Sequence, residues 1–292
     1  MTDLYAASGS WFKGNLHTHT TQSDGAFSPA ENIAWHEQNG YDFVSITDHN
    51  RLTDPREFCD PSLLTLLGTE LSLGRTTGGG PFHLVIFGLP ADFHVPPAES
   101  LSPEEGINLA ASIDAVCFVA HPHWSVMTMD ELADLKGYAG IEVYNTGCDY
   151  ENRTGLAEAY WDDLLRRGRR VWGFGTDDSH WRLPDYAGGW IVVKAPERSA
   201  GAITEAIKAG QFYATSGPSI ESITLEDHNL RVTCSPARAI YWSEGPRGYS
   251  AHANGPPDLT EARFEVNARD YLRVQIVDAQ GRWAWSNPLF IT

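Results

Sequence analysis

Apolar, strand-like runs in this chain end, one after another, in side chains that bind divalent cations. Trp11–Leu16 leads to His17 and His19, Tyr41–Ile46 to Asp48 and His49, and LLTLLGTEL contains Glu70 near its end. AVCFVAHPH closes on His121 and His123, and VWGFGTDDSH on Asp177, Asp178 and His180. Side chains two apart in a strand point the same way, so His17 and His19 can grip one ion together. A buried parallel strand that stops at polar groups delivers them to the open C-terminal mouth of a sheet or barrel. A lone His-x-His pair is weak, because paired histidines also serve as surface or hydrogen-bonded residues. Recurrence at strand after strand is hard to explain by packing.

Between these runs lie helical patterns. Ser28-Pro29-Ala30-Glu31 and Ser102-Pro103-Glu104-Glu105 are capping boxes with proline at the first helical position, and Gly40 stops the first helix. A long helix is expected over 151–167, and Ser199 caps another that Gly210 closes. GRTTGGGP, residues 74–81, lacks the Lys-Ser/Thr of a phosphate-binding loop and is expected to be a hairpin loop before the strand that carries His83. Six or seven strand-helix units imply an α/β barrel over residues 1–216. From residue 217 to 292 helical periodicity disappears and short alternating runs separated by turns such as Asn254-Gly255-Pro256-Pro257 predict a small antiparallel, sandwich-like β domain. Trp242, Trp283 and Trp285 are expected in its core or at its seam with the barrel.

Composition narrows the partners. A formal charge of −17 argues against a nucleic acid polymer, whose phosphates ordinarily need a basic face. It leaves open a small phosphate, since ions at the site would make the local field positive. No apolar run approaches the roughly 20 residues that span a bilayer, and MTDLYAASGSWFKG lacks the basic start and apolar core of a secretion signal, so the expected location is the cytoplasm, away from membranes. Cys59, Cys117, Cys148 and Cys234 have no CxxC spacing, which speaks against disulfide scaffolds and zinc knuckles.

HTHT with SDG and SP downstream, then TDHN, GTE, HL, AHP and DDSH resembles, in order, the polymerase and histidinol phosphatase (PHP) superfamily. The likeness spans residues 11–216. QFYATSGP looks like the end of that domain, and VDAQGRWAWSNPLFI resembles the β tail of stand-alone PHP phosphoesterases. The resemblance implies a distorted (β/α)7 barrel with two or three divalent ions at its C-terminal mouth. By it, His17, His19, Glu70 and Asp178 surround one ion. Glu70 bridges to a second held by His83 and His121, and Asp24, His49 and His180 hold a third. Asp24 stands where other members have histidine, a departure that bears on the strength or identity of the third ion. Mixed imidazole and carboxylate shells suit Zn, Mn or Fe rather than Ca or Mg.

The function expected on these grounds is hydrolysis of a small organic phosphate, a mono- or diester such as a nucleotide, by a hydroxide bridging two ions. Asp177 is expected to orient the site, and His123 to contact substrate or donate a proton. Arg75, Asn145, Arg153 and Arg182 are the candidate phosphate contacts, and Trp124 and Trp181 follow histidines where they could line a pocket and stack on a ring. His36, His94, His228 and His252 are expected to be surface histidines. The alternatives are a hydrolase of carboxylic or carbamate esters and a non-catalytic metal-binding module. Nothing in the sequence sets the oligomeric state.

Overall fold

The computed structural model describes residues 2–244, 247–252, 258–267 and 270–291. The turn expected at residues 254–257 and the side chain of His252 lie outside them. In chain order the elements begin β1 (Thr2–Asp3), β2 (Ser10–Asn15), α1 (Pro29–Gln38), β3 (Phe43–Val44), β4 (Leu64–Thr65), β5 (Gly68–Arg75) and β6 (Pro81–Phe87). There follow α2 (Pro103–Ser112), β7 (Val116–Val119), α3 (Met129–Asp134), β8 (Gly140–Asn145), α4 (Thr146–Asn152), α5 (Glu158–Arg166), β9 (Trp172–Thr176), β10 (Trp190–Ala195), α6 (Ala200–Lys208) and β11 (Phe212–Thr215). The remainder is strand: β12 (Ile220–Glu226), β13 (Asn229–Ala237), β14 (Ala239–Glu244), β15 (Arg247–His252), β16 (Leu259–Glu265), β17 (Tyr271–Val277), β18 (Trp283–Ser286) and β19 (Leu289–Phe290).

Local chemistry accounts for the helix ends. Both expected capping boxes form, with Ser28 and Ser102 accepting from the backbone of Glu31 and Glu105, whose side chains reach back. Gly40 leaves α1 at φ 70°, a conformation that favours glycine. The helix expected over 151–167 is two. Asn145 caps α4 directly at the end of β8, Arg153 ends it in a left-handed turn, and Gly155 packs against the Asn145 carbonyl before α5 begins. A Cβ on Gly155 would lie 2.3 Å from that oxygen, so only glycine lets the chain return to β8 there. α5 then buries Trp161, Leu164 and Leu165.

The structure differs from the expected closed barrel. The strands of the first 216 residues fall into two sheets, β5-β6-β7-β8-β9 and a segment β11-β10-β2-β3-β4, and no ring of hydrogen bonds closes among the described residues. The reason lies in the connections. β5, β6 and β7 pair antiparallel, with GRTTGGGP as the hairpin turn between β5 and β6, and β10 is antiparallel to both β2 and β11. Only β2-β3-β4 and β7-β8-β9 keep the parallel pairing of strand-helix units. The two sheets still share one core, in which Leu16, Phe43, Ile191 and Phe212 meet Val85, Phe87, Phe118 and Phe174. At the seams they touch through isolated parallel bridges, Thr18 to Ser179 and His49 to Glu70.

The sheet that contains β11, β10 and β2 does not stop at residue 216. β11 pairs with β18, and the order runs on through β17 and β14 to β15, so one ten-stranded sheet crosses from the first part of the chain to the last. A third sheet, β1-β12-β13-β16, covers its far end, with Ile223, Val232, Trp242, Val274 and Ile276 between them. Trp285 sits at the seam, its ring stacked on Tyr144 at 5.7 Å and its Nε1 donating to Glu158. Trp283 stacks on Tyr241 at 5.8 Å. No helix of the described residues is long and apolar enough to cross a membrane.

Phe118 of β7 is fully buried and stacks at 4.4 Å on Phe174 of β9, on the face of their sheet that builds the shared core. Phe118→Ala is expected to lower the free energy of unfolding by about 3–5 kcal/mol, read from urea denaturation. A loss below about 1 kcal/mol would show that the sheets do not depend on that contact.

Candidate metal centre

β2 ends at Asn15, whose Oδ1 accepts from the His17 backbone 3.2 Å away, and the bridge from Thr18 to Ser179 fixes the next three residues. His17 and His19 therefore leave on one side of Thr18, ring centroids 5.1 Å apart. In the β5–β6 hairpin Ser72 faces His83 and Glu70 faces Val85. Glu70 and Ser72 share a face, so His83 is delivered beside Glu70, its Nδ1 2.8 Å from Oε1. His121 and Asp178 follow β7 and β9 with left-handed backbones, φ 27° and 52°. Such conformations cost about 1–3 kcal/mol each and persist where surroundings impose them. Here the His121 N–H donates to Glu142 at 2.7 Å and the Asp178 N–H to the His17 carbonyl at 2.9 Å.

All nine candidate ligands converge. His17 Nε2 and His19 Nε2 are 3.2 Å apart, each lies 3.2 Å from Glu70 Oε2, and they lie 3.1 and 3.0 Å from Asp178 Oδ1. Ligand atoms about 2.0–2.1 Å from a tetrahedral Zn stand about 3.3–3.4 Å apart, and closer in higher coordination, so this spacing fits one ion. Glu70 Oε1 faces the other way, 2.8 Å from His83 Nδ1 and 3.2 Å from His121 Nε2, which are 3.3 Å from each other. His49 Nδ1 approaches Glu70 Oε2 to 3.0 Å, yet both buried atoms lack a hydrogen-bond partner. Two polar atoms that close without hydrogen-bond alignment have the spacing that ligands of one ion would have.

A third group is looser and wetter. Asp24, half exposed, lies 3.4 Å from His180 Nε2, 3.7 Å from His49 Nε2 and 3.8 Å from His19 Nδ1. His19 thus faces two groups, and its Nδ1 is buried without a partner.

Several supports were not legible as such in the sequence. Glu142, fully buried in β8, lies 2.7 Å from His17 Nδ1. A carboxylate only accepts, so Nδ1 carries the proton and Nε2 is left for the cluster. Asp48 accepts from the Thr20 backbone and from the hydroxyls of Thr20, Ser23 and Thr53, holding the loop that carries Asp24. The signal available was a carboxylate inside an apolar run, which burial tolerates only with partners. Asp177 touches no ligand atom. It accepts from Asn15, Thr146 and the backbone of Ala187, Gly188 and Gly189, while burial pushes its carboxyl up to about 6.

The cluster floors a pocket of about 420 Å³ walled by Trp124, Cys148, Glu151, Arg182, Leu183 and Asp185. Of the candidate phosphate contacts only Arg182 lines it. Arg75 is tied to the Gly79 carbonyl of its own hairpin, and Arg153 is exposed beside Asp149. Asn145 is buried and spends its amide on Glu142 and Asp178 and its oxygen on the Cys148 N–H. His123 is exposed outside the pocket walls, its Nδ1–H donating to the Leu156 carbonyl. Trp181 is no pocket wall either. It is buried against Phe27 and Tyr186, and its Nε1 donates to the His19 carbonyl. His36, expected at the surface, is fully buried, because its helix face packs under Trp35, Tyr41 and Trp181; burial pushes its pKa down to about 4. His94 and His228 are exposed.

No protein-family model and no curated protein matches the chain. Among solved structures, a two-domain protein from Bacteroides vulgatus containing a predicted PHP-like metal-dependent phosphoesterase matches over 98% of this chain and 97% of its own, at 16% identity and a TM-score of 0.52. That likeness shows that the chain has its fold along almost the whole length. A candidate metal-dependent phosphoesterase from Bifidobacterium adolescentis (18% identity, TM-score 0.41) and an amidohydrolase from Chromobacterium violaceum (16%, 0.44) each match 57% of this chain and 87% of their own.

Charge dictates how the centre behaves without ions. Burial opposes charge on His17, His19 and His121, but Asp178 and Glu70 outweigh it and hold all three above the ordinary histidine value, His19 at about 10. His17 and His19 are therefore protonated at pH 7 and must lose a proton to ligate. Zn²⁺ added at pH 7 to chelator-stripped protein in weak buffer is expected to release protons, and apparent affinity to rise from pH 6 to pH 8. Uptake with no proton release would contradict this arrangement.

Proposed function

We propose that the chain is a metal-dependent phosphoesterase that hydrolyses a small organic phosphate, mono- or diester, nucleotides among them, with two or three divalent ions of the Zn, Mn or Fe type. The observation that carries this reading is Glu70, buried, with Oε2 turned to His17 and His19 and Oε1 to His83 and His121. A carboxylate so divided is placed to bridge two ions. His17, His19, Glu70 and Asp178 would hold the first, Glu70, His83 and His121 the second, and Asp24, His49 and His180 the third, with His19 Nδ1 beside it. Ions bound there would supply Lewis acidity and water of lowered pKa.

The chain's own groups do the rest. Asp24, Glu70, Glu151, Asp178 and Asp185 line the pocket, and among the described residues Arg182 is its one lysine or arginine. Once the imidazoles give up their protons to ligate, those carboxylates would repel a phosphate unless bound ions offset them. Arg182 is the side chain we assign to the phosphate oxygens, and Asp177 acts by fixing residues 187–189. The pocket volume suits a small molecule rather than a polymer. Trp124, held by donation of its Nε1 to Glu151 at 2.8 Å and packed edge-on against His121 at 4.9 Å, presents a wall on which a flat leaving group can lie.

The test assays metal content and the turnover of p-nitrophenyl phosphate, bis-p-nitrophenyl phosphate and p-nitrophenyl acetate side by side. Phosphate ester turnover that falls at least about 10²-fold in His17→Ala and in Asp178→Asn is the expected result. Acetate turnover alone would make the chain a carboxylic ester hydrolase, and silence on all three with ions bound would leave a binding module. Trp124→Ala is expected to raise the KM for a nucleotide more than that for an alkyl phosphate; equal effects would remove the stacking role.

A further inference from the structure

Glu142, the partner of His17 Nδ1, also touches His121, so it contacts two of the candidate ligands at once. It lies within β8, fully buried, and its four contacts come from four chain segments. Oε1 faces His17 Nδ1 at 2.7 Å and accepts from the Thr176 hydroxyl at 2.6 Å. Oε2 accepts from the His121 backbone N–H at 2.7 Å and from Asn145 Nδ2 at 2.8 Å, and that same amide donates to Asp178 Oδ2 at 3.1 Å. Every oxygen lone pair directed at a neighbour is thereby used, as a buried carboxylate requires.

The pattern has a consequence for spacing. His17 belongs to the group on one side of Glu70, and His121 to the group on the other. Glu142 holds the first by its ring and the second by its backbone, at the residue whose left-handed φ of 27° needs an outside partner. We propose that Glu142 is a positioning residue that fixes the His17 tautomer and sets the separation of the two ion sites flanking Glu70. It neither ligates nor meets substrate. This assignment rests on the metal-centre reading, and its consequences are read in ion binding rather than in turnover.

The experiment uses the full chain, stripped with chelator and titrated with Zn²⁺ against a chromophoric competitor and with Co²⁺ by its visible spectrum. Glu142→Gln keeps the shape but turns one acceptor oxygen into a donor NH₂. It is expected to weaken ion binding about 10- to 100-fold, to change the Co²⁺ bands, and to leave far-UV circular dichroism unaltered. Glu142→Asp, which restores the charge at shorter reach, should recover part of the affinity. If Glu142→Gln does not fold, long-range ¹H–¹⁵N spectra of the loaded wild type decide the matter, since the assignment requires His17 to be protonated at Nδ1 and ligated at Nε2. A folded Glu142→Gln chain that binds as many ions equally tightly, or a His17 ligated through Nδ1, overturns this role alone. A wild type that takes up no ion overturns the metal reading as well.

Discussion

The structure depends on keeping one carboxylate, Glu70, ionised while 1% exposed and surrounded by imidazoles. Burial by itself would hold its proton on, but His83, His17 and His49 reverse that and keep its pKa well below the usual carboxylate range. An arrangement of this kind is expensive unless each group has a counterpart. The counterparts come from segments far apart in sequence, so strand pairing and loop geometry must agree before the centre can exist. The β5–β6 register, the Thr18–Ser179 and His49–Glu70 bridges and the left-handed turns at His121 and Asp178 are the points where that agreement is enforced.

How much of this could be read from the chain differs by feature. The strand ends carrying His17, His19, Glu70, His121 and Asp178 were visible because apolar runs stop there, and period two in strands gives the shared face. The capping boxes at Ser28 and Ser102 were equally legible, being local. Closure of the sheets was not, because parallel and antiparallel neighbours look alike in an apolar run, and β5, β6 and β7 pair as hairpin strands. His36 was misread because α1 is covered on two sides by aromatic rings contributed from Tyr41 and Trp181, which no helical period reveals. Asn145 and Trp181 sit beside the centre in the fold, but their polar atoms are already engaged inward, which their sequence positions do not reveal.

The same logic separates ligands from supports. Asp177 and Asp178 are neighbours with opposite environments. One accepts from backbone and side-chain donors around residues 187–189, the other turns into the cluster. The left-handed φ of 52° at Asp178 turns the chain between the two.

The ten-stranded sheet that runs from β4 to β15 gives the molecule a shared spine. Cutting the chain after β11 would bare an unpaired, apolar edge where β18 now lies, together with the Tyr144 ring and Glu158 carboxylate that Trp285 now covers. Bare edges of that kind recruit other chains and aggregate. The half that carries the His/Asp/Glu cluster is consequently not a module that recombination could lift out and graft elsewhere intact; its inheritance is tied to that of the strands that close it.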